Sequence, residues 1–280
     1  MKTIEHSWRG KQLHQAAKPK RRGGNYETRV AAWYCVRTVL GRTAQPLYDL
    51  PAQTRLVAVH CQTGEPVDDV NAVTSDRGIS FVQAKRFMKL SKGETSALGS
   101  SIDQFVRRQK RMSDRLSTLA GARSLDPQRD RLVFATLSNR SAKITVVLPR
   151  LLRGVRDRSD VHTLSEVQTS QQEREVARVL DDHIIRCWKT VNGRDPTAAE
   201  MGALLRLIWV HELDIEDGGR DWTTVVDLMR ANLLVDSSGS SRLSGGHRCP
   251  AKLDGPTAPD PHARKIKRQV LKVMLGILSR

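Results

Sequence analysis

Aromatic residues are scarce in this sequence, 4% of 280 positions, and no run of about 18 apolar residues occurs. The first shortage predicts a lean core; the second excludes a helix that spans a bilayer. The opening MKTIEHSWRGK lacks the apolar stretch of a secretory signal. Four cysteines, Cys35, Cys61, Cys187 and Cys249, are scattered without a CxxC pair, which argues against a disulfide framework and a cysteine-ligated zinc. The eight histidines form no HxH or HExxH pattern, and there is no GxxxxGK[ST], GxGxxG or Gly-x-Ser-x-Gly. Hydrolytic zinc chemistry, a nucleotide-phosphate cradle and a serine-hydrolase elbow therefore have no support. Together these absences predict a soluble, cytoplasmic chain. Acid is also short: 30 Asp plus Glu face 47 Lys plus Arg, a formal charge of +17. Such a chain repels itself, and a polyanion relieves the repulsion. Nucleic acid is the first partner predicted, an anionic membrane surface the second.

Residues 1–22 read as a basic arm, either a loose terminus or a phosphate-gripping strap. From Tyr26 the apolar residues Tyr26, Val30, Trp33 and Leu40 follow a helical period that Gly41 can end. Three β-rich runs come next, 55–60, 69–74 and 79–85. The turn signal Ser75-Asp76-Arg77-Gly78 joins the last two into a hairpin. Residues 101–119 predict a basic helix and 131–137 a fourth strand. The order helix, three strands, helix, strand predicts a mixed α/β domain over residues 23–160. Beyond it, 164–191, 197–213 and 222–234 read as helices of an α-helical module over 161–235, with Thr163/Glu166 and Asp195-Pro196 as start signals. Gly, Pro and Ser supply 13 of the 27 positions in 236–262, a linker composition. The tail 263–280 carries Arg264, Lys265, Lys267, Arg268, Lys272 and Arg280 with no acid. It reads as a membrane-surface or partner-binding helix, or as the ragged end of a longer protein.

The chemistry concentrates in Glu65-Pro66-Val67-Asp68-Asp69-Val70 and Phe81-Val82-Gln83-Ala84-Lys85. Alternation along a strand puts Gln83 and Lys85 on one face and Val82 and Ala84 on the other. Asp69, on the neighbouring strand, alternates with Val70 and Ala72, which favours it over Asp68 as the inward acid; Glu65 is a candidate outer acid. A carboxylate and an amide oxygen are hard ligands suited to Mg²⁺ or Mn²⁺, which polarises a phosphodiester and acidifies bound water. A lysine beside them can offset charge building on phosphorus.

A helical Glu, then Asp, then Gln-x-Lys resembles the PD-(D/E)XK, or restriction-endonuclease-like, nuclease superfamily. Asp68-Asp69-Val70 with Phe81–Lys85 is similar to its QxK subgroup, found in antiphage-defence endonucleases. Gly24-Asn25-Tyr26-Glu27 resembles the opening of that family's first helix. No literal Pro-Asp precedes the strand; Pro66 stands three residues before Asp69. The resemblance covers about residues 23–140 and implies a mixed central sheet flanked by helices. It implies Asp69, Gln83 and Glu27 around the metal, Lys85 as catalytic lysine, and DNA as substrate. Phosphate contacts are expected from Arg86, Arg107, Arg108, Lys110 and Arg111, with little base reading. A second basic cluster, from Arg140 and Lys143 to Arg150, Arg153, Arg156 and Arg158, either extends that track or solvates a surface. His211–Asp217 reads as a solvated helix-to-loop junction. A regulatory domain or subunit and a homo-oligomer are compatible with these features. The alternative function is a basic nucleic-acid-binding or partner-interaction module with an idle pocket.

Overall fold

A computed structural model describes residues 24–41, 47–61, 66–67, 69–116, 123–138 and 141–233. The basic arm, the linker, the tail, Glu65, Asp68 and Arg140 lie outside the described residues.

Helix α1 (Gly24–Val39) leads into strands β1 (Leu56–His60), β2 (Val70–Thr74) and β3 (Ile79–Ala84). Helix α2 (Ala97–Ser113) crosses to strand β4 (Arg131–Thr136). Helices α3 (Leu148–Arg156), α4 (Gln171–Asn192) and α5 (Ala198–Leu207) precede strand β5 (Ile208–Glu212) and helix α6 (Arg220–Leu233). The five strands form one sheet in chain order. β1, β2 and β3 pair antiparallel, whereas β3, β4 and β5 pair parallel. The protein is α/β, with helices on both faces of a mixed sheet.

The hairpin forms as its turn residues require. Arg77 takes a left-handed φ of 65°, and Asp76 accepts from the Thr74 hydroxyl and the Gly78 amide. A β-carbon at Gly78 would lie 2.3 Å from the Arg129 carbonyl, so only glycine fits there. β3 and β4 are buried along their whole length, which explains the near-continuous apolar run Leu132–Ala135. Alternation then feeds two cores. Ile79, Phe81, Leu132, Phe134 and Ile208 pack with α2, α3, α4 and α5; Val70, Ala72, Val82, Val133 and Ala135 pack with α1 and α6.

The C-terminal stretch differs from the helical module expected of it. Residues 197–213 are not one helix: α5 ends at Leu207, and Ile208–Glu212 joins the sheet beside β4. Ile-Trp-Val-His alternates between the two cores, and that tertiary demand overrides the helical reading. Residues 161–233 also supply α4, which lies on α2, and α6, which lies on α1. They complete the same sheet and both its covers. The start of the long helix moves as well. Glu166 folds back on Thr163 and His162 within a single helical turn, and α4 begins later, at a capping box of Ser170 and Glu173. α5 starts at a second box, Thr197 with Glu200, just past Asp195-Pro196.

Candidate active site

The carboxyl ends of the parallel strands gather the polar residues. Lys85 continues β3, its amide donating to the Ala135 carbonyl at 2.9 Å. Asp69 immediately precedes β2, on the side opposite Val70. One oxygen of Asp69 receives three donors: Gln83 Nε2 at 2.6 Å, the Ala84 amide at 2.8 Å and Lys85 Nζ at 3.4 Å. Glu27, in the first turn of α1, brings Oε1 to 3.9 Å from Lys85 Nζ. The four residues predicted to meet therefore do so, although Glu27 comes from the helix layer on the other face and reaches round the end of the sheet. Burial is graded: Gln83 is 6% exposed, and the Asp69, Lys85 and Glu27 side chains are 13%, 25% and 47% exposed. The site opens from the sheet interior toward solvent on the α1 side.

Its position depends on an element the sequence did not single out for the task. Val67, two residues before Asp69, is buried at a φ of 59°, an uncommon conformation for a β-branched residue. α2 holds it there. The Gln104 side-chain oxygen accepts from the Val67 amide at 3.3 Å, and Arg108 Nε donates to the Pro66 carbonyl at 2.8 Å. The Arg108 guanidinium also lies 4.5 Å from the centre of the Phe81 ring. Arg108 is 0% exposed, so the expectation that it contacts DNA phosphate is corrected: it faces the core, where a carbonyl and a ring face accept its charge.

The other expected phosphate contacts are at or near the surface, several already engaged. Arg86 makes a two-pronged pair with Glu216, at 2.7 and 2.6 Å. Arg107 pairs with Asp103 and Lys110 with Asp114, each one helical turn away. Arg111 is half-buried. The second basic cluster is not one track. Lys143 pairs with Glu175 and Arg150 with Glu173, while Arg156 donates to the Ile208 carbonyl and stacks 3.7 Å from the Trp209 ring centre. Burial lowers the Arg156 pKa to about 10.

The stretch His211–Asp217 also departs from a simple solvated junction. His211 lies on β5, where its Nδ1 meets the Tyr48 hydroxyl at 2.7 Å, and Tyr34 and Tyr48 bond each other beside it. Burial lowers its pKa to about 3, so the ring is neutral. Asp214 receives the first amides of α6, Glu216 holds Arg86, and Asp217 and the Ile215 carbonyl hold Arg29 of α1. Phe87 is a residue the sequence reading missed: two positions after Lys85, it is 48% exposed beside the Arg86 guanidinium.

The residues fit a hard divalent cation by chemistry. Two carboxylates and an amide converge, and among the described residues Gln83 Oε1 is buried with no hydrogen-bond partner. The amide presents its nitrogen to Asp69, so a cation shared by Asp69 and Gln83 requires it to turn over. Among the described residues no three of His, Cys, Asp and Glu converge as a metal cluster. Nor is any described helix long and apolar enough to cross a membrane. The chain matches no family model, no curated protein and no solved structure.

Proposed function

We propose that this chain is a Mg²⁺- or Mn²⁺-dependent DNA endonuclease of the restriction-endonuclease-like type, with little base specificity. The observation that carries the reading is the convergence of Glu27, Asp69, Gln83 and Lys85 at the open end of the sheet. The succession of a helix, three antiparallel strands, a crossover helix and a parallel strand supports it, being the order expected from the motif residues. Asp69, Gln83 and Glu27 would hold the cation. When bound, the cation polarises the phosphodiester and lowers the pKa of its water.

The chain's own residues do the rest. Lys85, fixed between two carboxylates, keeps its ammonium at the site and neutralises charge that grows on the phosphate oxygens. The Ala84 amide and Lys85 fix Asp69 in one orientation. Arg86, if released from Glu216, supplies a second cation to the backbone. The use implied by the resemblance is destruction of DNA in antiphage defence, under control of a regulatory domain or subunit.

A second reading, a DNA-binding module that does not cut, draws on one observation: Asp69 is hydrogen-bonded by its protein neighbours with no cation required. Plasmid DNA incubated with Mg²⁺ or Mn²⁺ separates the two. Wild type should nick or degrade it, and Lys85→Ala and Asp69→Asn should each lose at least about 100-fold in rate, the range for removing one transition-state group, while binding DNA as before. No cutting by wild type with either cation favours the binding module, and equal cutting by all three proteins ends the site assignment.

A further inference from the structure

We propose that the segment following β3 is a track for single-stranded nucleic acid leading away from Lys85: one unpaired base stacks on the Phe87 ring, and Lys89 and Lys92 take phosphates of the same strand. The chain has four phenylalanines; Phe81, Phe105 and Phe134 are 0% exposed, whereas Phe87 is 48% exposed. A single apolar side chain at a surface needs no explanation by itself. This one stands two residues past Lys85, within about 7 Å of it along the chain. The Arg86 guanidinium lies 5.0 Å from the centre of its ring, and Glu216 holds that guanidinium with two hydrogen bonds. The segment is also fastened from within. Met88 is 1% exposed, Leu90 packs against the core beside α2 and α4, and His183 Nε2 of α4 donates to the Ser91 carbonyl at 2.6 Å. Between Lys85 and Lys92 the exposed residues are Phe87, Lys89 and Lys92.

The charge of the two lysines is available. Arg86, Arg107 and Lys110 pair with acids, whereas no described acid pairs with Lys89 or Lys92. An ammonium on a flexible stem takes phosphate as a point charge. An aromatic ring among such cations takes a base, because every base has a π-face. The ring selects for strandedness. In a duplex each base face is covered by its neighbours, so only a base that has left the stack can lie on Phe87. That the strand is DNA, and is cut, rests on the nuclease reading above. On that reading the preferred substrate is DNA with unpaired bases beside the scissile phosphate, a feature that negative supercoiling also favours in a plasmid.

Binding is measured on the full chain in EDTA, where metal-dependent cutting is stopped. The probes are a short DNA strand carrying 2-aminopurine and the duplex of the same sequence, followed by anisotropy and by 2-aminopurine fluorescence over a range of salt. Wild type should bind the strand about tenfold more tightly than the duplex and change the fluorescence of the stacked base. Phe87→Ala should weaken strand binding at least about fivefold and remove that change, with the salt slope unaltered. Phe87→Leu keeps apolar bulk without a π-face and should behave like Phe87→Ala, while Phe87→Trp should bind as wild type does. Lys89→Ala and Lys92→Ala should each reduce the salt slope by about 0.7. Equal affinity of wild type for strand and duplex overturns the track. So does strand binding by Phe87→Leu that matches wild type, which would make the ring a contact for a protein partner instead. Wild type that never cuts DNA but shows the expected binding pattern refutes the nuclease and leaves the track standing; cutting without any strand preference does the reverse.

Discussion

An amide at position 83 lets Asp69 be satisfied by its neighbours, because Gln83 can donate where a carboxylate cannot. Gln83→Glu reverses this. Two acids then face each other without a cation, so the metal-free protein should melt earlier, while the added charge should raise Mg²⁺ affinity about tenfold. Calorimetry with and without Mg²⁺ reads both effects. His211 makes a pH prediction. Its folded pKa, about 3, lies below the ordinary value of 6.5. Between those values the unfolded chain binds a proton that the folded chain refuses, so stability falls as pH drops from about 6.5 toward 3. The slope contributed by this one ring is up to about 1.4 kcal/mol per pH unit. Denaturant titrations of wild type and His211→Asn from pH 7 to pH 4 should show that slope only in wild type. Asp69 and Lys85 were readable as a pair from alternation and spacing. Arg108 was not, because a charged residue among charged neighbours on a helix gives no local sign that tertiary packing will bury it.

At the scale of elements, α2 serves the site by pinning the segment before Asp69. Arg108→Met should leave the Pro66 carbonyl without its donor and cost about 1–3 kcal/mol. It should slow cutting while the salt slope of DNA binding stays unchanged; a slope reduced by about one unit would instead make Arg108 a phosphate contact. α4 depends on the reciprocal bonds of Ser170 and Glu173. Ser170→Ala should cost about 1 kcal/mol in chemical denaturation. The hairpin and β4 were legible because their turn residues and apolar runs are local signals. β5 was not. Ile-Trp-Val-His follows a good helical pattern without a breaker, and only the free edge of β4 makes it a strand.

For the whole molecule, one sheet ties residues 24–41 and 208–233 together through α1, α6 and the ion pairs of Arg29 and Arg86. A fragment ending at residue 160 would leave the β4 edge and the face of α2 under α4 uncovered. It should be insoluble or unfolded by circular dichroism, whereas 24–233 should fold. The formal charge of +17 overstates the charge free at the surface. Arg108 is buried, Arg131 donates to the Tyr48 carbonyl at 4% exposure, and Arg123 is paired to the buried Asp130.

Composition alone determined that this is a basic chain without an apolar run long enough to span a bilayer, and short-range pattern determined the first helix, the hairpin and the candidate acid–amide–lysine trio. These are properties of neighbours along the chain: net charge, period-two alternation and turn chemistry. The tertiary structure alone decided that Glu27 reaches the trio from the opposite layer, that an arginine supports the site from inside, and that the last strand closes the sheet. Each of those depends on what distant segments leave unpaired or exposed to one another, which no window of local sequence contains.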